Sequence, residues 1–205
     1  VKVKAVSTRY GQAFAVTERG EVYAWGMPTG DQSRLEHASS MGFGLVATVL
    51  EPTPLPCFGL GLRRQVRSIA TGLSHTLFVA WTGEVYAVGR AQCGKLGAVP
   101  AEGGDAGTAQ LLEPTQVHFD VHPAPHIVAV AAGAMHSLFL AASGEVWGCG
   151  LARTGALPTT AARTSKGHVW RPAVLDELSF FCTALAAGIS CSFFVAESGR
   201  VHFCG

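Results

Sequence analysis

The chain has 205 residues, of which 48% are hydrophobic and 14% are charged. A chain of this length and apolar content can bury a substantial core, which excludes an intrinsically disordered protein. Its 15 basic and 14 acidic side chains leave a formal net charge of +1, so no bulk attraction to nucleic acid or to an anionic membrane is expected.

Turn-forming residues divide the chain into short apolar stretches. The 25 glycines and 10 prolines lie at intervals between these stretches, as turns between strands require, and this favours an all-β fold. The apolar stretch 127–142 contains Gly133 and His136 and falls short of the about 18 uninterrupted apolar residues of a membrane span. We interpret it as two buried strands.

Glycines recur at fixed offsets along the chain. Four anchor glycines are separated by 63, 61 and 55 residues, and another glycine stands six residues after each of them. In the last three copies a glycine also stands eleven residues before the anchor, whereas the first copy has Arg9 there. The anchors are Gly20, Gly83, Gly144 and Gly199, the following set is Gly26, Gly89, Gly150 and Gly205, and the preceding set is Gly72, Gly133 and Gly188.

Each copy predicts one supersecondary unit of four strands. The anchor glycine lies between a second and a third apolar run, where it can supply the positive φ of a tight hairpin. A fourth strand is entered through a proline in "EPTPL", "EPTQV" and "RPAVL", since proline is confined to the start or the edge of a strand. Four short antiparallel strands per repeat are typical of a propeller blade. The chain is interpreted as a single propeller segment, 1–205, with repeats at 1–62, 63–123, 124–178 and a truncated copy at 179–205.

The motifs resemble repeats of the regulator of chromosome condensation family. His75 and His136 occupy the histidine position of that family, whereas Gln12 and Cys191 depart from it. The run "GKLG" from Gly94 matches the motif after the third strand. The resemblance implies a seven-bladed propeller, of which this chain forms an incomplete arc of three to four four-stranded blades. Because the first residue is Val1, we also expect the natural amino terminus to lie upstream.

Motifs of catalysis are absent from the sequence. It has no GxxxxGK[ST] phosphate loop, no GxSxG turn and no HExxH helix, so we predict a protein that is not an enzyme and has no cofactor. His118, His122 and His126 recur every four residues, but Pro123 and Pro125 prevent the helix that would align them as metal ligands. We therefore predict no metal site. His75 and His136 are interpreted as structural residues that form a repeated hydrogen bond.

The connections between third and fourth strands vary most in length, and such variation collects on one rim of a propeller. Arginine and tryptophan are frequent at interface hot spots, so contact residues are sought in these connections. The candidates are Arg34, Glu36, Arg90, Lys95, Arg153, Arg163, Lys166 and Trp170. A separate basic cluster, Lys2, Lys4, Arg63, Arg64 and Arg67, is a solvated strand entry or, alternatively, a patch for phosphates or acidic protein tails.

These observations favour a non-catalytic protein–protein interaction scaffold whose rim loops bind a protein partner. No membrane partner and no small-molecule substrate are expected, and an intracellular location, cytoplasmic or nuclear, is predicted. The resemblance implies an alternative, guanine nucleotide exchange on a small GTPase of the Ran type; chromatin is another partner that it allows. Weaker alternatives are an accessory propeller of a ubiquitin ligase and a light sensor like the plant ultraviolet receptor of the family.

Overall fold

The computed structural model of the protein describes residues 1–9, 11–26, 49–59, 64–98, 110–160 and 167–205. Within these ranges the chain forms three four-stranded sheets and one three-stranded sheet, each antiparallel and with its strands in sequence order. The predicted all-β fold is confirmed. Each sheet corresponds to one repeat and is called a blade below.

The strands are short, as the spacing of the turn residues predicts. Blade 1 contains β1 (Val3–Arg9), β2 (Gln12–Thr17), β3 (Val22–Gly26) and β4 (Val49–Pro54). Blade 2 contains β5 (Val66–Thr71), β6 (His75–Ala80), β7 (Val85–Arg90) and β8 (Gln110–Gln116), with a 3₁₀ turn at Gln92–Gly94. Blade 3 contains β9 (Ile127–Ala132), β10 (His136–Ala141), β11 (Val146–Leu151) and β12 (His168–Val174). Blade 4 contains β13 (Cys182–Ala187), β14 (Ser192–Ala196) and β15 (Val201–Cys204).

The anchor glycines form the hairpins between the second and third strands. Gly20, Gly83, Gly144 and Gly199 have φ of 79°, 87°, 83° and 80°, a region that residues with a Cβ rarely adopt. The strands on either side pair in register, as Val79 with Val85 and Leu140 with Val146 show. The repeated glycine therefore acts locally, by closing the hairpin.

The prolines of the fourth strands are not at the strand entrance that the sequence predicts. Pro52, Pro114 and Pro172 lie inside β4, β8 and β12, where the pairing with the third strand is irregular. Each of these strands is the outer edge of its sheet. An edge strand with a bulge accommodates a residue that has no N–H to donate, so proline fits within it.

Neighbouring blades are joined by the same backbone hydrogen bond at three successive seams. The N–H groups of Val66, Ile127 and Cys182, each the first residue of a first strand, donate to the carbonyl oxygens of Gly20, Gly83 and Gly144 at 2.9, 3.2 and 2.9 Å. Aromatic side chains fill the space between blades. Between blades 1 and 2, the rings of Phe14 and Phe78 are both buried and lie 5.9 Å apart in an edge-to-face arrangement. The blades form an arc of the predicted propeller type.

The apolar stretch 127–142 forms two buried strands, β9 and β10. In the part of the chain that the structure describes, no helix has the length and apolar character needed to cross a membrane.

Candidate functional site

The direction of the strands gives the arc two faces. Because the strands alternate in direction, the hairpins between second and third strands lie on one side, together with the entries to the first strands. We call this side the hairpin face. The turns between first and second strands and the connections between third and fourth strands lie on the opposite side, the loop face.

A buried polar chain supports the loop face at the seam between blades 2 and 3. His75 Nε2 lies 2.9 Å from Ser137 Oγ, and Ser137 Oγ donates to the carbonyl oxygen of Lys95 at 2.6 Å. All three residues are less than 1% exposed. Since the serine hydroxyl has one proton and donates it to Lys95, it accepts from His75, whose proton is therefore on Nε2.

The same arrangement recurs at the seam between blades 3 and 4. His136 Nε2 lies 3.1 Å from Ser192 Oγ, which donates to the carbonyl oxygen of Ala156 at 2.7 Å. In both seams a histidine of one blade, a serine of the next blade and a loop carbonyl of the first blade form one chain. The repeated histidine thus connects each 3–4 connection to the following blade.

Both histidines are held in the neutral form. Burial lowers the pKa of His75 well below its ordinary value, and the nearby positive charge of Lys95 lowers it further. Burial likewise lowers the pKa of His136 to about 4. Among the described residues His75 Nδ1 has no hydrogen-bond partner, and a Cβ on Gly72 would lie 2.4 Å from the Cε1 atom of this ring. Glycine before the turn therefore makes room for the imidazole.

Lys95 is predicted as a contact residue, but it is buried in the structure, so this prediction is wrong. Its side chain is 0% exposed, and its Nζ atom donates to Ser74 Oγ at 2.8 Å and to the Ala134 carbonyl oxygen at 3.4 Å. Burial lowers the pKa of this ammonium to about 8. Lys95 cannot present its charge to a partner, because the turn of blade 3 covers it; it joins blade 2 to blade 3 instead.

Three other candidates lie at the loop face. Arg90 is the last residue of β7 and is half-buried, and Arg153 is exposed, two residues after β11. Trp170, on β12, is half-buried against blade 2: a Cβ on Gly94 would lie 2.8 Å from Trp170 Cα and 3.1 Å from its ring. Glycine in the 3₁₀ turn therefore lets the indole lie across the seam. The remaining candidates, Arg34, Glu36, Arg163 and Lys166, lie outside the described residues.

The other sequence features are placed as follows. His118, His122 and His126 are exposed, and in the described ranges no three His, Cys, Asp or Glu side chains are grouped as metal ligands would be. Of the basic cluster, Lys4 and Arg67 come together at the hairpin face, where both contact the ring of Trp81. Arg63 lies outside the described residues.

Three residues of the site are not predicted from the sequence. The serines that complete the polar chains, Ser137 and Ser192, and the exposed Trp81 carry no motif. A signal for the serines does exist, because a hydroxyl residue stands seven residues before each of the last three anchor glycines: Thr76, Ser137 and Ser192. Trp81 has no such signal, since Glu18, Ala142 and Glu197 stand at its equivalents.

Comparisons with known proteins agree with this geometry. Two profiles, each described as "Regulator of chromosome condensation (RCC1) repeat", match residues 82–140 and 127–155. The Ultraviolet-B receptor UVR8 of Arabidopsis thaliana is 38% identical over 67% of this chain, and the E3 ubiquitin-protein ligase HERC2 of Homo sapiens is 31% identical over 91% of it. The chain spans 27% of the length of the receptor and 3% of the ligase.

Solved structures show the same fold. Yeast RCC1 (Prp20), in its complex with Kap60, superposes with a TM-score of 0.76 at 23% identity, over 98% of this chain and 43% of that one. Human WBSCR16 superposes with a TM-score of 0.62 at 19% identity, over 98% of this chain and 62% of that one. The spacing of the glycines, the histidine chains at the blade seams and these matches agree: the chain contains regulator of chromosome condensation repeats.

Proposed function

We propose that this chain is a non-catalytic protein-interaction scaffold that binds a protein partner through its loop face. The proposal rests on the contrast on that face between polar residues that are buried between blades and residues that are accessible to a partner. Lys95 and the two histidine chains are buried and join the blades, whereas Arg153 is exposed and Trp170 is half-buried. A buried polar layer that joins the blades beneath variable connections leaves those connections available to bind a partner.

Arg153 is positioned on the surface by packing of its stem. A Cβ on Gly167 would lie 2.3 Å from Arg153 Cγ, so glycine just before β12 leaves room for the aliphatic part of the side chain. Arg153 is exposed, and a guanidinium group carries five N–H donors for carboxylates or backbone carbonyls of a partner. Arginine and tryptophan in such positions contribute most to interface affinity.

The experiment compares affinity capture by two sets of variants. A double variant, Arg153→Ala with Trp170→Ala, removes loop-face contacts, and the matched control, Arg19→Ala with Arg200→Ala, removes two exposed arginines of the hairpin face. Quantitative mass spectrometry of the captured proteins should show a partner that is enriched with the parent protein and the control and is lost with the loop-face variant. A partner lost equally with both sets, or the absence of any enriched partner, would contradict the proposal.

A second candidate is guanine nucleotide exchange on a Ran-type small GTPase. It is supported by the similarity of fold to yeast Prp20, whose structure is described together with its binding to Gsp1p and histones and superposes with a TM-score of 0.69 at 21% identity. An exchange factor works by stabilising the nucleotide-free state of the GTPase, so it needs surfaces and no cofactor. The rate at which a fluorescent GDP analogue is released from a Ran-type GTPase, measured with and without this protein, separates the two functions. An exchange factor raises this release rate, whereas a scaffold leaves it at its basal value.

A further inference from the structure

Trp81 is an exposed aromatic residue on the hairpin face, with 52% of its surface accessible. It follows β6 and precedes the anchor glycine Gly83. The Nζ atom of Lys4 lies 4.8 Å from the centre of its ring, and the Cζ atom of Arg67 lies 5.2 Å from it. Both distances are in the range of a cation–π interaction, so one indole holds two cations from two different blades.

The two cations are held close together without a carboxylate to neutralise them. Lys4 Nζ donates to the Val66 carbonyl oxygen at 2.9 Å, and in the described ranges neither it nor Arg67 forms an ion pair with an acidic side chain. Burial and the positive charge of Arg67 lower the pKa of Lys4. Like charges that are held together at a surface, next to an accessible apolar ring, are complementary to an anionic ligand.

The fold does not require these three residues. Lys4 and Arg67 occupy the same position in the repeat, one residue after the start of the first strand, where blades 3 and 4 have Val128 and Thr183. At the position of Trp81 the other blades have Glu18, Ala142 and Glu197. The repeat thus accepts small, neutral side chains at all three places, so the cluster is a local feature of the seam between blades 1 and 2.

We propose that Lys4, Arg67 and Trp81 form a binding site for an acidic peptide segment of a protein partner, with an apolar side chain beside its carboxylates. The carboxylates would pair with the ammonium and guanidinium groups, which the indole already positions. The apolar side chain would cover the accessible part of the ring. This combination of aromatic surface and adjacent cations favours a sequence in which acidic and apolar residues are neighbours.

A peptide fits this site better than a nucleic acid does. The whole chain has a formal net charge of +1, so it lacks the extended positive field that a polyphosphate backbone requires. Carboxylates of the hairpin of blade 1, Glu18 and Glu21, lie on the same face and would repel successive phosphates. Two cations on a face that also carries acidic side chains match a short acidic segment better than an extended polyphosphate.

The site is independent of the proposed function. It lies on the hairpin face, and the residues assigned to partner contact, Arg153 and Trp170, lie on the loop face. Loss of binding in loop-face variants therefore tests the proposed function, and loss of binding in Trp81-site variants tests this inference. Either can fail while the other holds.

The experiment measures the fluorescence anisotropy of a labelled dodecapeptide of repeated Glu-Glu-Leu in the presence of the protein. The variants are Trp81→Ala and the double variant Lys4→Thr with Arg67→Thr, whose new side chain already occurs at the equivalent position of blade 4, as Thr183. Arg200→Thr, which removes an exposed cation of the blade 4 hairpin, is the matched control. Circular dichroism melts confirm that each variant is folded.

The expected result is binding that weakens about tenfold or more in the double variant and severalfold in Trp81→Ala, and that is unchanged in Arg200→Thr. A peptide with Gln in place of Glu should bind at least tenfold more weakly, and raising the salt from about 0.05 to 0.5 M should weaken the binding of the acidic peptide. Equal binding of the two peptides, an equal loss in Arg200→Thr, or tighter binding of an oligothymidylate of the same length would overturn the proposal.

Discussion

Burial of the His136 imidazole makes the contribution of the seam between blades 3 and 4 to stability depend on pH. Its pKa is lowered by burial to about 4 from 6.5, so the unfolded chain takes up a proton at a higher pH than the folded chain does. The stability that the neutral ring contributes is complete above pH 6.5 and is lost as pH falls towards 4. Between pH 7 and 5 this loss should be about 2 kcal/mol.

The substitution His136→Gln tests this coupling. An amide can still donate to Ser192 Oγ, and blade 1 already has Gln12 at this position, 7% exposed. Urea unfolding at pH 7 and pH 5 should show that the variant loses about 2 kcal/mol less stability on acidification than the parent protein does. His118→Gln, which replaces an exposed histidine, should leave the acid dependence as it is in the parent. An equally steep loss in His136→Gln would show that the ring is not neutral in the fold.

Lys95 gives a pH dependence of the same sign in the alkaline range. Because burial lowers its pKa to about 8 from 10.5, the folded ammonium loses its proton before the unfolded one does. Its contribution to stability therefore rises as pH increases from 8 to 10.5. Compared with Lys95→Met, the parent protein should gain about 1 kcal/mol of stability between pH 7 and 9. The difference between the urea unfolding curves of the parent and of Lys95→Met isolates this contribution from the titration of the thiols. Lys2→Met, at an exposed site, should show the same change in stability between pH 7 and 9 as the parent protein.

At the scale of elements, the hairpin glycines have two functions that substitutions can separate. Gly20 and Gly199 have nearly the same φ, 79° and 80°, so replacement by alanine costs each about 1 to 2 kcal/mol of backbone strain. A Cβ on Gly20 would in addition lie 2.9 Å from the Gln65 Cα and Val66 N atoms of the next blade, whereas a Cβ on Gly199 meets no atom of the described part of the chain within 4 Å.

Gly20→Ala should therefore destabilise the protein by at least about 1 kcal/mol more than Gly199→Ala does, since it also displaces the backbone of blade 2 and its hydrogen bond. The measurement is thermal unfolding of both variants. Equal losses would mean that the hairpin glycines are required for the turn alone and that the seam adjusts without cost.

The sequence predicts the elements well because their determinants are local. A glycine at positive φ between two apolar runs is sufficient to place β6, the hairpin at Gly83 and β7. The contacts that the sequence does not predict depend on the neighbouring blade. Lys95 stands among turn residues and looks exposed in sequence, but the turn at Ala134 covers it. Likewise, Lys4 and Trp81 meet across 77 residues of sequence, and only the packing of blades brings them together.

At the scale of the whole molecule, blade 4 differs from the other blades in what covers it. Equivalent positions of the second strand are Leu77 and Leu138, both 0% exposed, and Phe193, 39% exposed. At the third strand, Val85 is 1% exposed and Val201 is 63% exposed. In blades 2 and 3 the following blade covers these side chains, whereas in blade 4 the same face is open. Phe203, 58% exposed, extends this apolar surface.

An open face of this kind should make the isolated chain self-associate, because contiguous apolar surface on a flat sheet is a site of association. Sedimentation velocity should show a weight-average mass that rises with concentration. The double variant Phe193→Ser with Phe203→Ser should lower this association while the seams between blades stay intact, since both rings face away from blade 3. Trp81→Ala removes an exposed ring elsewhere and should leave the association unchanged. A parent protein that stays monomeric and melts cooperatively would contradict this prediction. It would show that the three seams between blades stabilise the arc even when the face of blade 4 is uncovered.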